Sequence, residues 1–279
     1  MNENVPTITL RDGNTMPQLG LGTYQSESGE ETENAVKVAI QNGYRLIDTA
    51  ALYMNESDVG KAIASSNIPR EELFITTKLW NSDQGAENVR PALEKSLEKL
   101  GLDYVDLYLI HWPTPERDLY VETWKEFMKL RDEGLIKSIG VSNFQVEHLE
   151  RLKAEAGEIP VLNQIELHPG FSQKELRDYG QANTIITESW RPIGGSRGRL
   201  LEDETIMELA ERYGKTPAQV VLRWHIQHGL VVIPKSVHDT RIKENIDVFD
   251  FELDAADMAV LDDMNGEREG PNPDTMNNS

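Results

Sequence analysis

Cysteine is absent from the 279 residues of this sequence. The absence excludes disulfide bonds, cysteine-containing zinc sites and a cysteine nucleophile. The sequence also lacks any apolar run close to the roughly 18 residues that a membrane-spanning helix requires. Residues 1–9 are polar and acidic, without the basic and apolar regions of a secretory signal. We therefore expect a cytoplasmic protein that makes no contact with a membrane.

Positive charge is scarce, with 28 lysines and arginines against 48 aspartates and glutamates and a net charge of −20. Nonspecific binding of nucleic acid requires a basic surface, so this class of partner is excluded. The sequence has no Gly-x-Ser-x-Gly elbow and no Walker A motif. Their absence argues against a serine hydrolase and a P-loop ATPase.

Histidine is also too sparse to suggest a metal centre. A metal-dependent barrel hydrolase would need a His-x-His pair after the first strand, and the segment Leu19–Gln25 contains no histidine. His225 and His228 could share one face of a helix, but no nearby carboxylate or third ligand completes a site. We therefore expect both histidines to be structural and the protein to bind no metal.

What the sequence does contain is a regular alternation of short β-branched runs with amphipathic helical stretches. Hydrophobic residues make up 38% and charged residues 27%, which is typical of a globular protein. The eight predicted strands are Leu19–Thr23, Arg45–Ala50, Leu73–Trp80, Val105–Trp112, Ile136–Asn143, Val161–His168, Thr184–Trp190 and Val231–Val237. Strands that alternate with helices predict parallel βαβ units, and eight of them can close a barrel of about 250 residues.

Helix termination signals support this alternation. The predicted helices Ala86–Leu100 and Glu204–Tyr213 each end at a glycine, and Thr216-Pro217 starts another helix with an N-cap and a first-turn proline. A doubly wound sheet would carry Gly-x-Gly-x-x-Gly after its first strand, and the third glycine is missing here. We predict a single (β/α)₈ barrel over residues 1–279, with an N-terminal β-hairpin in Thr7–Met16 and an extra C-terminal helix, Leu253–Met264, followed by a loop.

Polar and aromatic side chains recur at the carboxyl ends of the predicted strands, where barrel enzymes build their active sites. These residues are Asp48, Lys78, His111, Asn143, Gln164, Glu166, Trp190 and Lys235. Asp48 and Lys78 end consecutive strands that are otherwise mostly apolar. Because a buried charge needs a partner, we expect these two side chains to pair.

At this point the sequence resembles the aldo-keto reductase family. Six motifs carry the resemblance, in the same order along nearly the whole chain: residues 45–56, 75–80, 108–113, 140–144, 163–169 and 233–236. Within the family, the segments 188–190 and 247–251 look most like those of bacterial 2,5-diketo-gluconate reductases. The resemblance implies an NADPH-dependent oxidoreductase that reduces an aldehyde or ketone to an alcohol by hydride transfer.

The resemblance implies a catalytic tetrad of Asp48, Tyr53, Lys78 and His111. Carbonyl reduction needs a proton on oxygen, and a phenol with a pKa near 10 is a reluctant acid. A neighbouring Lys78 ammonium favours the phenolate and should lower the pKa of Tyr53 toward working pH. Asp48 would keep Lys78 charged, and His111 would orient the substrate oxygen.

The resemblance also implies binding residues. The cofactor residues are Gly22, Thr23, Ser142, Asn143, Gln164, Trp190, Lys235, Ser236, Val237, Arg241, Glu244 and Asn245. Among them, Ser142, Asn143 and Gln164 resemble the clamp on the nicotinamide carboxamide, and Lys235, Ser236 and Arg241 the site of the adenosine 2′-phosphate. The substrate pocket would be lined by Tyr24, Trp80, His111 and Trp112. The loop 194–199 would bind the pyrophosphate. The sequence departs from the family pattern at Arg191, because a small residue usually precedes the proline that follows it.

The substrate stays open at this level, because sugar-derived keto acids such as 2,5-diketo-gluconate, small reactive aldehydes and prostaglandin-like ketones all fit. A regulatory subunit that binds the cofactor on the same fold with little turnover is the alternative, and the complete tetrad argues against it. The resemblance implies a monomer whose partner is a small carbonyl compound.

Overall fold

The computed structural model describes residues 5–194, 199–264 and 266–278. It begins with a hairpin of two antiparallel strands, β1 (Thr7–Thr9) and β2 (Thr15–Pro17), in which Ile8 pairs with Met16. The remaining strands are β3 (Gly20–Gly22), β4 (Leu46–Asp48), β5 (Phe74–Leu79), β6 (Val105–Ile110), β7 (Ile136–Ser142), β8 (Leu162–Glu166), β9 (Ile186–Trp190) and β10 (Val231–Val232). The predicted hairpin and all eight predicted strands are therefore confirmed.

Ten α-helices alternate with these strands in the described ranges. They are α1 (Glu30–Gln41), α2 (Glu56–Ser65), α3 (Ala86–Leu100), α4 (Tyr120–Asp132), α5 (Val146–Ala156), α6 (Lys174–Ala182), α7 (Glu204–Tyr213), α8 (Pro217–Gln227), α9 (Asp239–Ile246) and α10 (Ala255–Asp262). Helix α3 ends at Gly101 and α7 at Gly214, both in the left-handed region that glycine adopts without strain. Thr216 caps α8 in a reciprocal capping box with Gln219. None of the described helices is long and apolar enough to cross a membrane.

The strands β3 to β10 pair in parallel and in chain order, and the two ends of the sheet meet. Isolated bridges join Leu19 to Val232 and Gly22 to Lys235, and the Gly22 N–H donates to the carbonyl of Pro234 at 3.2 Å. The predicted (β/α)₈ barrel is thus confirmed. The last strand is shorter than the predicted Val231–Val237, because Pro234 has no N–H to continue the ladder.

Two apolar clusters divide the core. The larger one lies between the outer face of the sheet and the helices, where Ile47, Ile75 and Tyr108 pack against helix residues. The smaller one fills the barrel interior with Leu46, Phe74, Leu107, Leu109, Leu162, Val231 and Ile233, and it includes Leu10 and Met16 of the hairpin. The hairpin therefore closes the end of the barrel at which the strands begin.

The inward-facing residues change from apolar to polar along each strand. Leu46 is followed two residues later by Asp48, Leu109 by His111, and Ile186 by Glu188. Because side chains alternate between the faces of a strand, residues two apart share the interior. The closed end of the barrel is consequently apolar, and the polar side chains meet at the carboxyl ends of the strands.

Candidate active site

The centre of the site is an ion pair between Lys78 and Asp48 inside the barrel. The Lys78 ammonium lies 2.5 Å from Asp48 Oδ1, and both side chains are almost completely buried. The same ammonium donates to the carbonyl of Thr49 at 2.9 Å and contacts the hydroxyl of Tyr53 at 3.4 Å. A protonated lysine has three N–H donors, and here each has one acceptor.

The charge of Lys78 is maintained by its surroundings. Burial is the largest single effect and would lower the pKa of the ammonium, but the charge and hydrogen bond of Asp48, together with Tyr53 and Glu188, outweigh it and raise the pKa above its usual value. The pair expected from the ends of consecutive strands is therefore present, and it places a permanent positive charge beside the phenol of Tyr53.

Tyr53 ends a short 3₁₀ turn, Ala51–Tyr53, that follows β4. The next residue, Met54, has a φ of 59°, so the chain reverses directly after the tyrosine. The buried amide of Asn55 holds this turn, because it donates to the carbonyl of Thr23 at 3.0 Å and accepts from Thr49 at 2.9 Å. The ring of Tyr53 keeps part of its surface exposed, and its hydroxyl points to Lys78.

The acidity of Tyr53 differs from the sequence-based expectation. Burial raises its pKa to about 12, although the Lys78 charge acts in the expected downward direction. The expectation that Lys78 brings the pKa of Tyr53 toward working pH is therefore wrong, because desolvation is the larger effect. The phenol holds its proton at neutral pH, and the ammonium beside it can stabilise the phenolate once the proton has left.

His111 lies next to Tyr53 at the end of β6. Burial and the Lys78 charge hold the pKa of His111 well below its usual value, so the imidazole is neutral. Its ring meets Tyr53 edge-on, with 5.8 Å between centroids, and Trp80 likewise at 5.2 Å. A neutral imidazole in this position can donate one hydrogen bond to an oxygen that also faces Tyr53.

The predicted carboxamide clamp forms one hydrogen-bonded group beside the tetrad. Asn143 has a φ of 65° and donates to the carbonyl of His111 and to Ser142 Oγ, both at 3.0 Å. Its Oδ1 accepts the indole N–H of Trp190 at 2.8 Å. Gln164 donates to Asp48 at 2.8 Å and to Glu188 at 2.7 Å. Within the described ranges no residue donates to the side-chain oxygen Oε1 of Gln164, which leaves an acceptor for a ligand amide.

The predicted phosphate-binding residues lie around the start of α9. Ser236 is buried and accepts a hydrogen bond from the N–H of His238, the residue that precedes the helix. Lys235 is exposed and donates to the carbonyl of Gln25 at 3.1 Å. Arg241 is exposed in the first turn of the helix and makes no ion pair with any described residue. These cations are thus available to an anion in a strongly acidic protein.

The other predicted binding residues divide into two groups. Gly22 and Thr23 lie at the end of β3, where Thr23 donates through N–H and hydroxyl to the carbonyl of Asp48, both at 3.0 Å. The remaining three lie near α9 and are half-buried or buried: Val237, Glu244 and Asn245. In the loop 194–199, residues 195–198 lie outside the described residues.

Aromatic rings surround the tetrad on the side of the solvent. Tyr24 lies against Tyr53 with 5.1 Å between ring centroids and is 46% exposed. Trp80 is half-buried against His111, and Trp112 is buried beside it in the chain. The rings of Tyr24, Tyr53, His111 and Trp80 therefore contact one another in a row, and Tyr24 is the exposed member of it.

Sequence reasoning missed two groups at the centre of the site. The carbonyl of Thr49 carries no side-chain signal, because any residue could supply it. Glu188 could have been found from its position, since it lies between the inward-facing Ile186 and Trp190 on β9 and must therefore face the interior. Arg191, which was noted as unusual, lies over the Trp190 ring at 5.5 Å and 4.0 Å from the carboxylate of Glu269.

Comparison with known proteins agrees with this geometry. Residues 18–265 match the aldo/keto reductase family. The chain belongs to this family. It is 54% identical over 272 residues to the methylglyoxal reductase DkgA of Escherichia coli K12, covering 97% of this chain and 98% of the relative. It is 53% identical over 271 residues to the glyoxal reductase of Bacillus subtilis 168, covering 97% of each.

A solved structure extends the comparison to the fold. A mutant of Gox0644 in complex with NADPH is 49% identical and superposes with a TM-score of 0.93, covering 98% of this chain and 99% of that chain. The family resemblance seen in the sequence is therefore confirmed, and this aldo-keto reductase is an oxidoreductase.

The central ion pair can be tested by its contribution to stability. Asp48→Asn leaves the buried Lys78 ammonium without an anion, and breaking a buried pair in this way costs about 3–5 kcal/mol. We expect the free energy of unfolding, measured by urea titration at pH 7, to fall by that amount. The control is Asp178→Asn, which breaks the exposed pair with Lys174 at 2.6 Å and should cost less than about 1 kcal/mol. Equally small losses from both variants would contradict the burial argument.

Proposed function

We propose that this aldo-keto reductase uses NADPH to reduce small 2-oxoaldehydes such as methylglyoxal and glyoxal to hydroxy carbonyl compounds. The observation that carries the proposal is the 3.4 Å contact between the Lys78 ammonium and the Tyr53 hydroxyl, beside the rings of Tyr24 and His111. This contact supplies a proton donor whose conjugate base is stabilised by a fixed positive charge.

The substrate class rests on three supports. The relatives with the names methylglyoxal reductase and glyoxal reductase share more than half of their residues with this chain. The side chains that the family resemblance assigns to the substrate pocket, Tyr24, Trp80 and Trp112, are aromatic and suit a small uncharged molecule. A net charge of −20 also slows the approach of anionic keto acids and leaves uncharged aldehydes unaffected.

The residues have separate roles in this proposal. The substrate carbonyl oxygen accepts hydrogen bonds from Tyr53 and from neutral His111, which orient it and polarise the bond. The hydride for the carbonyl carbon would come from NADPH, which Gln164, Trp190, Lys235 and Arg241 would hold. Tyr53 transfers its proton to the oxygen, and the negative charge left on the phenolate lies beside the Lys78 ammonium. Asp48 keeps that ammonium in position throughout the cycle.

The donor set at the barrel mouth fits NADPH. Exposed Lys235 and Arg241 have no carboxylate partner among the described residues, and the N-terminus of α9 adds partial positive charge for a phosphate. The free acceptor of Gln164 suits the amide group of a carboxamide. Trp190 is fixed by its hydrogen bond to Asn143 and presents an indole face for stacking against a planar ring.

The first test removes the proton donor. Tyr53→Phe deletes one hydroxyl, so kcat for methylglyoxal reduction with NADPH should fall by about 10²–10⁴-fold while NADPH binding persists. Tyr24→Phe is the matched control, because it removes a hydroxyl from the tilted ring that lies against Tyr53 and should leave kcat within about threefold. If Tyr53→Phe keeps more than about a tenth of the activity, Tyr53 is not the donor.

A kcat/KM for 2,5-diketo-gluconate above that for methylglyoxal would overturn the substrate assignment.

The second test concerns the choice of cofactor. A charge-assisted hydrogen bond contributes about 1.5–3 kcal/mol, so Arg241→Ala should weaken NADPH binding by about one to two orders of magnitude and barely change NADH binding. The control is Lys243→Ala, which removes the same charge from an exposed position of α9. Binding is measured by quenching of protein fluorescence. Equal losses for the two cofactors, or none, would show that Arg241 does not contact the 2′-phosphate.

A further inference from the structure

Glu188 is a second buried carboxylate next to the ion pair, and the mechanism above does not use it. It lies on β9, is completely buried, and accepts a hydrogen bond from the Gln164 amide at 2.7 Å. Its other oxygen, Oε1, has no hydrogen-bond partner among the described residues. Glu188 is therefore held on one side only, in contrast to Asp48, which accepts from both Lys78 and Gln164.

The Gln164 amide connects the two acids. Its two N–H groups donate to Asp48 Oδ2 at 2.8 Å and to Glu188 Oε2 at 2.7 Å. An amide nitrogen has two hydrogens, so both are used. A change in the charge of Glu188 therefore acts on Asp48, which shares the Gln164 amide with it, and through Asp48 on the ammonium of Lys78.

The charges of this cluster determine where a proton resides. Two carboxylates and one ammonium are buried together, and two like charges that share one amide group cannot both be ionised in a buried site without a large cost. Asp48 has the ammonium, so the proton stays on Glu188. In agreement, burial and the negative charge of Asp48 raise the pKa of Glu188 to about 8.

Among the residues that the structure describes, no further charge competes for this role. The other titratable groups that face the cluster are Tyr53 after β4 and neutral His111 after β6. On β8, the carboxylate of Glu166 accepts the N–H groups of Glu269 at 2.7 Å and Gly270 at 2.8 Å. On the other side of β9, the residue in register with Glu188 is the apolar Val231.

We propose that Glu188 is a positioning residue that remains protonated at neutral pH and, through Gln164, sets the upper pH limit at which Tyr53 can act as the proton donor. The inference rests on the proposed function for the role of Tyr53. When Glu188 ionises, a second negative charge lies beside Asp48. That charge raises the pKa of Tyr53 further and makes the phenol a weaker acid, so the reduction rate falls.

The main test compares Glu188→Gln with the wild type and needs no substrate. The folded pKa of Glu188 lies above its unfolded value of about 4.3, so the folded wild type binds an extra proton between these limits. Its stability relative to Glu188→Gln therefore declines as pH rises from about 5 to about 8, with the unfolding constant increasing about tenfold per pH unit, and then levels off. The control is Glu202→Gln, whose side chain is 72% exposed and which should follow the wild type.

A second measurement guards against a variant that does not fold. Infrared difference spectra of the wild type should contain a protonated-carboxyl band at pH 7 that disappears as pH rises through about 8. In the activity assay, the high-pH decline of kcat should move up by about one pH unit in Glu188→Gln. A missing band, or identical pH dependences of stability, would overturn the proposal. Failure to reduce methylglyoxal would overturn the proposed function alone, because the infrared and stability results do not depend on turnover.

Discussion

The active site depends on one buried ammonium. Lys78 has no contact with solvent, and its three donors meet a carboxylate, a backbone carbonyl and a phenol. Each acceptor needs the positive charge, and the charge needs Asp48, because an isolated ammonium in this interior would lose its proton. The remaining features of the site follow from this requirement: Tyr53 must reach the ammonium, and His111 must stay neutral beside it.

The barrel makes this arrangement possible, because one end of the strands carries the apolar residues of the core and the other end carries the polar residues of the site. The first inward-facing residues are apolar and pack with the hairpin, while the last ones are polar and converge. The Asp48–Lys78 pair therefore lies next to the apolar part of the barrel interior, where electrostatic interactions are strong. On the opposite side Tyr24 is exposed and the ring of Tyr53 keeps part of its surface exposed. The same burial in an apolar interior explains why Glu188 carries a proton at neutral pH.

The sequence predicted most of the fold because its signals are local. Terminal glycines and the Thr216–Gln219 cap depend only on neighbouring residues, and the matching bounds of α3 and α7 reflect this. The Asp48–Lys78 pair was predictable because the ends of consecutive parallel strands are adjacent in a barrel. The end of β10 could not be predicted in this way. Whether Pro234 ends the strand depends on which residue of the neighbouring strand would pair with it.

Other parts of the site could not be predicted, because they depend on distances across the barrel. The two hydrogen bonds of Gln164 join strands that are far apart in the sequence, and the Thr49 carbonyl has no side-chain signature. The pKa of Tyr53 also depends on a balance between burial and charge, and the sequence shows only the charge. The family resemblance therefore implies the tetrad, whereas the protonation of its members requires the three-dimensional arrangement.

The most direct test of this account is the protonation state of Lys78 in the folded protein. Nitrogen-15 NMR of the lysine side chains, with the Lys78 signal assigned by its loss in Lys78→Met, measures it without substrate. We expect a slowly exchanging, charged ammonium that persists above pH 10, since Asp48 raises its pKa above the usual value of about 10.4. A neutral amine at pH 7 would contradict the account, because the phenolate of Tyr53 would then have no charge to stabilise it.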